Sequence, residues 1–389
     1  MAGVVRRGPP SWGKSTLAAP VIGPRAQIEP YEGWDDRYIA GLPPKVQRAL
    51  LRERKLEEAT GSDRARAAIN YILGLNWTPS PRPCIDMEKA RRVLDDSHAG
   101  LVVIKEAVLD WLATEEWSRR KGLPAGAGGG TSLCLIGPPG TGKTTIATSI
   151  AFASSRHLES FGLAGADTVF LIGSDSAYMG ARPGEIVRRL ISSGQHPSGL
   201  VVLLDEIDKL SRAPVRDPLP VILHLLDPSR NHAVKDQFLD NIDLNFNSTL
   251  FVATANEESD IPAPLKDRLR ILRLPGYTRD EQIAIGSVHI LPRMLKRLNI
   301  MDEVELSPEV VECLVADYPL TKGLRQLEQR LSTVVSRALR CHIETGQSIH
   351  VNAGVARSWV GVGEASTAIG FQVPSTGRPR RESPRQVDR

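Results

Sequence analysis

The sequence predicts an α/β protein: a parallel sheet flanked by helices, with a helical N-terminal region before it and a helical unit after it. Three observations carry this reading. Between residues 132 and 254, short apolar runs alternate with helical stretches, the pattern of strands joined by crossover helices. One of those runs opens into a glycine-rich stretch that leads directly into a helical pattern. The segments on either side carry helical periodicity and no strand signal.

Composition narrows the function classes. At about 150 residues per domain, 389 residues suggest two or three domains, each large enough for its own core. No apolar run approaches the ~18 residues of a membrane span. Lys and Arg total 49 against 45 for Asp and Glu, a surplus of +4. Part of that surplus sits in the cluster Arg378, Arg380, Arg381, Arg385 and Arg389. A nucleic-acid partner is not favoured, because it calls for a denser basic stripe on a folded face. Cys84, Cys134, Cys313 and Cys341 are scattered without metal spacing, and the first residues lack an apolar signal core. A cytoplasmic protein without a membrane partner is expected.

The elements follow in order. Residues 1–37, rich in Gly and Pro, read as irregular. Helices fit 42–58 and 63–73, the second stopping at Gly74. Pro79, Pro81 and Pro83 force a loop over 78–83. Asp86 then caps a helix through Leu94, and another covers 100–120, which completes a helical region over 38–121. A Gly/Ala linker, 122–130, precedes the α/β unit, 131–276, with strands at 132–136, 169–172, 200–204 and 249–254. Helices at 279–290, 308–316 and 324–344 make up a C-terminal unit, 277–362, with no strand expected from 279 to 345. The segment 363–389, rich in Pro, Ser and Arg, reads as disordered.

Two segments match G-x-x-x-x-G-K-[ST]. The first runs from Gly8 to Lys14 and Ser15; the second is Gly137-Pro138-Pro139-Gly140-Thr141-Gly142-Lys143-Thr144. A phosphate loop needs a strand delivering it and a helix leaving it, because the helix N-terminal N–H groups and dipole hold the phosphates. Leu133-Cys134-Leu135-Ile136 enters the second match and a helical pattern leaves from Thr145. The first has Arg6-Arg7 before it and Pro20, Pro24 and Pro30 behind it, so it reads as a decoy. In the second, Lys143 reaches the β- and γ-phosphates and the Thr144 hydroxyl ligates Mg²⁺, which makes ATP and Mg²⁺ the expected cofactors.

An apolar strand ending in Asp205-Glu206 supplies the matching carboxylates: Asp205 to hold the metal, Glu206 to orient and deprotonate the attacking water. Asn256 ends the strand Val252-Ala253-Thr254-Ala255 and suits a water-positioning role. Arg268 can reach a neighbouring subunit's γ-phosphate in trans, and Arg325 can serve in cis from the helical unit.

Residues 38–362 resemble the ATPase portion of the Lon family of AAA+ proteins. The resemblance rests on Leu42-Pro43-Pro44, the Val93–His98 entry, Gly137–Thr144, Leu203–Leu210, Leu226-Asp227-Pro228, Phe251–Asn256 and Leu274–Thr278. It implies a P-loop AAA+ fold with a C-terminal α-helical lid. Asn256 then stands at sensor 1, Arg268 at the arginine finger and Arg325 at sensor 2. His98, Tyr277 and Thr145 join the P-loop residues in binding nucleotide. Tyr178-Met179 matches the aromatic–aliphatic pair that grips substrate in the pore, although the segment before it is shorter than the family's. A homo-oligomeric ring of six subunits is implied, acting on a protein substrate or effector. The family's peptidase domain with its Ser–Lys dyad has no counterpart after 362, so no peptidase activity is expected. The alternatives are a regulatory or scaffolding ATPase that gates partner binding, and a nucleic-acid remodeller.

The two P-loop matches make a direct test. Lys143→Ala should abolish ATP binding, whereas Lys14→Ala should bind as the wild type does, by equilibrium titration with a fluorescent ATP analogue. Equal losses from both would reverse the assignment.

Overall fold

In the computed structural model, the described residues are 36–365, apart from 99, 128–129, 131, 212–215, 240–241 and 317–322. The first P-loop match and the 366–389 segment lie outside them.

Five helices come first: α1 (Asp36–Gly41), α2 (Pro44–Thr60), α3 (Asp63–Gly74), α4 (Met87–Ser97) and α5 (Val102–Arg120). Helix α1 begins at Asp36, inside the 1–37 stretch that the sequence reads as irregular. Local chemistry sets the starts. The Ser62 hydroxyl accepts the Ala65 N–H, and the Asp86 carboxylate accepts the N–H groups of Glu88 and Lys89, satisfying donors that the first turn leaves without partners.

The α/β unit follows as β1 (Ser132–Ile136), α6 (Lys143–Ala153), β2 (His157–Gly162), α7 (Thr168–Ile172), α8 (Glu185–Ser193), β3 (Leu200–Asp205), α9 (Leu219–Leu226), the short pair β4 (Val234–Lys235) and β5 (Asp243–Leu244), β6 (Leu250–Ala255), α10 (Ala263–Lys266) and β7 (Arg270–Arg273). The five-stranded sheet has the order β2-β3-β6-β1-β7, with every pairing parallel. Alternation along the three central strands feeds two cores. Leu133, Leu135, Val201, Leu203 and Val252 pack with residues of α4, α5 and α6. Cys134, Val202, Leu204, Phe251 and Ala253 pack on the other face with residues of α2, α3, α8 and α9.

The expected strands need correcting at one position and adding at two edges. Residues 169–172 form the short helix α7, capped by Asp167, whose carboxylate accepts the Phe170 N–H at 2.8 Å. An Asx cap overrides the β-propensity of Val, Phe and Ile over so short a run. The strand that takes this place is β2, HLESFG, and β7 on the opposite edge, RILR, was also unforeseen. Both are edge strands, half exposed and partly polar, so neither has the continuous apolar run of a central parallel strand.

The C-terminal unit holds α11 (Arg279–Ile285), α12 (Leu291–Leu298), β8 (Val304–Leu306), α13 (Glu309–Ala316), α14 (Arg325–Thr345), β9 (Ile349–Val351) and α15 (Ala353–Ala365). Its separate core includes Ile285, Met294, Val310, Leu314, Leu327, Leu331 and Val334. Contrary to expectation, this unit contains a strand pair, β8 with β9, parallel and three residues each, too short to leave a period. Helix α15 extends through residues 363–365, which the sequence places in the disordered tail. Pro292 concealed α12. A π-helical turn over Gly286–Ile290 carries α11 into α12, with the Leu291 N–H bonding back to Gly286 O, so Pro292 follows where a normal α-ladder has already been broken.

The helical region is pinned internally by Glu116, almost fully buried, which accepts hydrogen bonds from Ile85 N–H, Arg119 and Arg120. The hydrogen bond from Arg119 leads the causes that hold its carboxyl well below the usual range, against the opposing effect of burial. A depressed folded-state value stabilises above the unfolded value near 4.5, and that stability is lost as pH falls toward the folded value. Glu116→Gln should therefore destabilise the fold by ~1–3 kcal/mol at neutral pH in urea titrations. The gap to wild type should narrow steadily between pH 4.5 and pH 3; a gap constant over that span would contradict the assignment.

Candidate nucleotide site

Three adjacent strands of the sheet, β3, β6 and β1, end at the same edge, and their following residues build the site. From β1 the chain enters the loop 137–142 and then α6 at Lys143. Gly137 N–H continues the ladder to Ala255 O at 3.2 Å. A Cβ on Gly137 would stand 2.6 Å from Leu274 O, so the loop can leave the strand only as glycine. Gly140 and Gly142 have φ of 80° and 90°, the left-handed region that turns successive N–H groups toward one concavity.

The Lys143 ammonium donates to Gly137 O at 2.6 Å, Pro138 O at 3.0 Å and Asn256 Oδ1 at 2.9 Å. It thus joins the phosphate loop to the end of β6. Burial lowers its pKa, opposed by the carboxylates of Asp208, Asp205 and Glu206. Thr144 and Thr145, the next two residues of α6, are exposed.

At the end of β3, Glu206 adopts φ 60°, and its carboxylate accepts a hydrogen bond from Lys209 Nζ at 2.8 Å. The Thr254 hydroxyl accepts the Glu206 N–H at 3.0 Å and donates to Asp205 Oδ1 in a short bond. Asp208, nearly buried, accepts the backbone N–H groups of Asn256 at 3.0 Å and Glu257 at 3.3 Å. Sequence reasoning passed over Thr254, Asp208 and Lys209. Asp208 is visible as the third acid of the Asp-Glu-Ile-Asp string, but Thr254 looks like β-branched strand filling.

His98 and Tyr277 bracket the loop from opposite units. The Tyr277 hydroxyl donates to Thr141 O at 3.1 Å. His98 Nδ1 lies 2.8 Å from the Ser97 hydroxyl, which in turn receives the Ser149 hydroxyl. Its Nε2 is buried without a hydrogen-bond partner among the described residues, and the ring lies against Gly142. Burial pushes the imidazole down to about 4, so it is neutral at pH 7.

The lid touches the loop through backbone. Leu324 N–H donates to Gly140 O at 2.9 Å, and the Arg325 backbone lies directly over Gly140. Arg325 thus starts α14 beside the phosphate loop. Arg268 is elsewhere: its guanidinium is 3.5 Å from Asp227 Oδ2, in a cleft of about 500 Å³ lined also by His224, Arg230 and His232. Tyr178 and Met179 sit on the loop between α7 and α8, following a helix and not the expected strand, with Tyr178 72% exposed and Met179 fully exposed.

The donor set suits Mg²⁺ arriving with a nucleotide. Among the described residues no cluster of three or more His, Cys, Asp or Glu side chains stands ready for a metal. Mg²⁺ typically takes one or two protein oxygens, with phosphate and water completing its shell. Asp205 and the exposed Thr144 offer such oxygens.

Residues 133–276 match the model of the ATPase family associated with various cellular activities (AAA). The chain is 37% identical over 331 residues to a Lon protease of Salinispora arenicola, covering 83% of this chain and 42% of the relative. It is 33% identical over 308 residues to one of Geobacter metallireducens, covering 77% and 36%, and 37% identical over 313 residues to one of Frankia alni, covering 77% and 35%. The chain therefore spans about two fifths of the length of these relatives. Among solved structures, the Thermotoga maritima RuvB Holliday junction branch migration motor aligns with 70% of this chain and 73% of its own at 16% identity, with a TM-score of 0.45, too loose a superposition to carry an argument. No helix among the described residues is long and apolar enough to cross a membrane.

The lid contact depends on Gly323, where a Cβ would fall 2.0 Å from Pro139 O. Such overpacking costs ~1–3 kcal/mol. Gly323→Ala should therefore weaken ATP binding by ~10-fold or more, by titration with a fluorescent analogue, while the unfolding of the sheet unit is unchanged. Unaltered affinity would show that the loop binds without the lid.

Proposed function

We propose that this chain, a Lon-like AAA module, binds Mg·ATP and hydrolyses it to ADP and phosphate. The observation that carries the reading is the ammonium of Lys143 bonded to Asn256 Oδ1 at 2.9 Å, beside the carboxylates that end β3. Within the reading, Lys143 and the N–H groups of the loop bind the β- and γ-phosphates, and Lys143 leaves its loop carbonyls for them. Thr144 and Asp205 would hold Mg²⁺, which when bound neutralises phosphate charge. Glu206, released from Lys209, takes the proton of the attacking water, and Asn256 orients that water. His98, neutral, and Tyr277 flank the loop where the base of the nucleotide would lie. Within these residues the reading assigns ATP hydrolysis and no peptide-bond cleavage.

Arg268, held at the cleft by Asp227 and away from the chain's own phosphate loop, is suited to a neighbour's γ-phosphate in a homo-oligomeric, six-membered ring. Arg325 serves in cis. An exposed tyrosine followed by a fully exposed methionine on a turn-rich loop favours a grip on an unfolded protein over a scaffold that only gates partners.

In a coupled ATPase assay, Glu206→Gln should bind ATP and turn it over at least ~100-fold more slowly than wild type, having lost its base and kept its metal oxygens. In the same assay, an unfolded casein should raise wild-type turnover, and Tyr178→Ala should reduce that ratio to near one. Normal turnover by Glu206→Gln would refute the hydrolysis reading. Absent stimulation of an active wild type would leave the gating reading in place of threading.

A further inference from the structure

We infer that Thr254 is a positioning residue for hydrolysis: one buried hydroxyl, supplied by β6, sets both acids at the end of β3. The inference rests on the ATPase reading and adds a part to it.

Register puts the hydroxyl there. Strands β3 and β6 pair in parallel with Leu203 opposite Val252 and Leu204 opposite Ala253, so the next step brings Thr254 beside Asp205. Thr254 is 1% exposed. A hydroxyl in such a place is costly unless bonded, and valine would fill the volume with a better strand preference. The bonds it makes go to two functional groups at once, accepting from Glu206 N–H and donating to Asp205 Oδ1.

Each bond has a consequence. Among the described residues, Glu206 is one of four non-glycine residues with positive φ, a conformation costing ~1–2 kcal/mol that persists only where neighbours hold it. The bond from its N–H to Thr254 is such a hold, and it fixes where the carboxylate leaves the backbone. The bond to Oδ1 orients the Asp205 carboxylate and leaves Oδ2 as the second oxygen for a metal. β-Branching stiffens χ1 of Thr254, so the hydroxyl has little freedom to abandon both.

Asp208 makes the reciprocal tie. It follows β3 and accepts the N–H groups of Asn256 and Glu257, just after β6. Side chain of β6 to backbone beyond β3, and side chain beyond β3 to backbone beyond β6, together fix the spacing between Glu206 and Asn256. Thr254 is the member of this clasp that bonds both to the Asp205 carboxylate and to the backbone of Glu206.

The test compares Thr254→Val, Thr254→Ala and Thr254→Ser with wild type in the full chain. It measures turnover, thermal unfolding, and affinity for a fluorescent ATP analogue with magnesium and in EDTA. In the variants without the hydroxyl, turnover should fall ~10–100-fold and the gain in affinity on adding magnesium should shrink, as for lost outer-shell partners. Affinity in EDTA should stay within about twofold of wild type, and Thr254→Ser should recover most of the turnover, because the bonding group returns. Thr254→Ala keeps the test readable if the valine chain fails to fold. A folded hydroxyl-free variant that matches wild type in turnover and magnesium response would overturn the inference, as would a serine variant as impaired as alanine. A wild type without ATPase activity would instead refute the function reading, and the inference with it.

Discussion

The half-buried ammonium of Lys143 is the constraint to which the rest of the structure answers. A charge partly out of water must be matched by oxygens, and here they come from the loop itself and from Asn256 on another strand. That requirement brings the ends of β1 and β6 together. It also accounts for the acids of β3 lying on the adjacent strand, where their field opposes the desolvation of the lysine. A parallel sheet with this strand order supplies the arrangement without long side chains, because its loops all leave from the same edge.

Close backbone approach is the second theme. Gly137 meets Leu274 O and Gly323 meets Pro139 O at distances that leave no room for a Cβ, and Gly140 sits tightly against the Arg325 backbone. The phosphate loop is therefore gripped by the strand β7 side and by the lid, through main-chain atoms that cannot yield as a flexible side chain can. The lid's own core is separate from the two sheet cores, so the lid meets the loop as a packed body.

The nucleotide-binding loop, its flanking strand and helix, and the acid pair were legible in the sequence because each is a contiguous string whose chemistry depends on spacing. Lys143, Asp205, Glu206 and Asn256 meet at one sheet edge, and Arg325 starts its helix beside the loop. The helices with polar caps were legible for the same local reason, as at Asp86. Edge strands β2 and β7, the π turn that admits Pro292, and the three-residue pair β8–β9 were not, since exposure, a broken ladder and brevity each erase the period that marks an element.

What the sequence determined by itself is the chemistry available: which side chains can hold phosphate and metal, and which strand and helix present them. What tertiary structure decided is which of those groups are held, and by what. The Val169 to Ile172 run becomes a helix because Asp167 caps it. Arg268 faces Asp227 in a cleft lined by His224 and His232. The plain strand residue Thr254 acquires its partners only through the register of β6 against β3. The physical reason is that hydrogen bonds across a sheet join residues far apart in the chain, and no local pattern records such pairings.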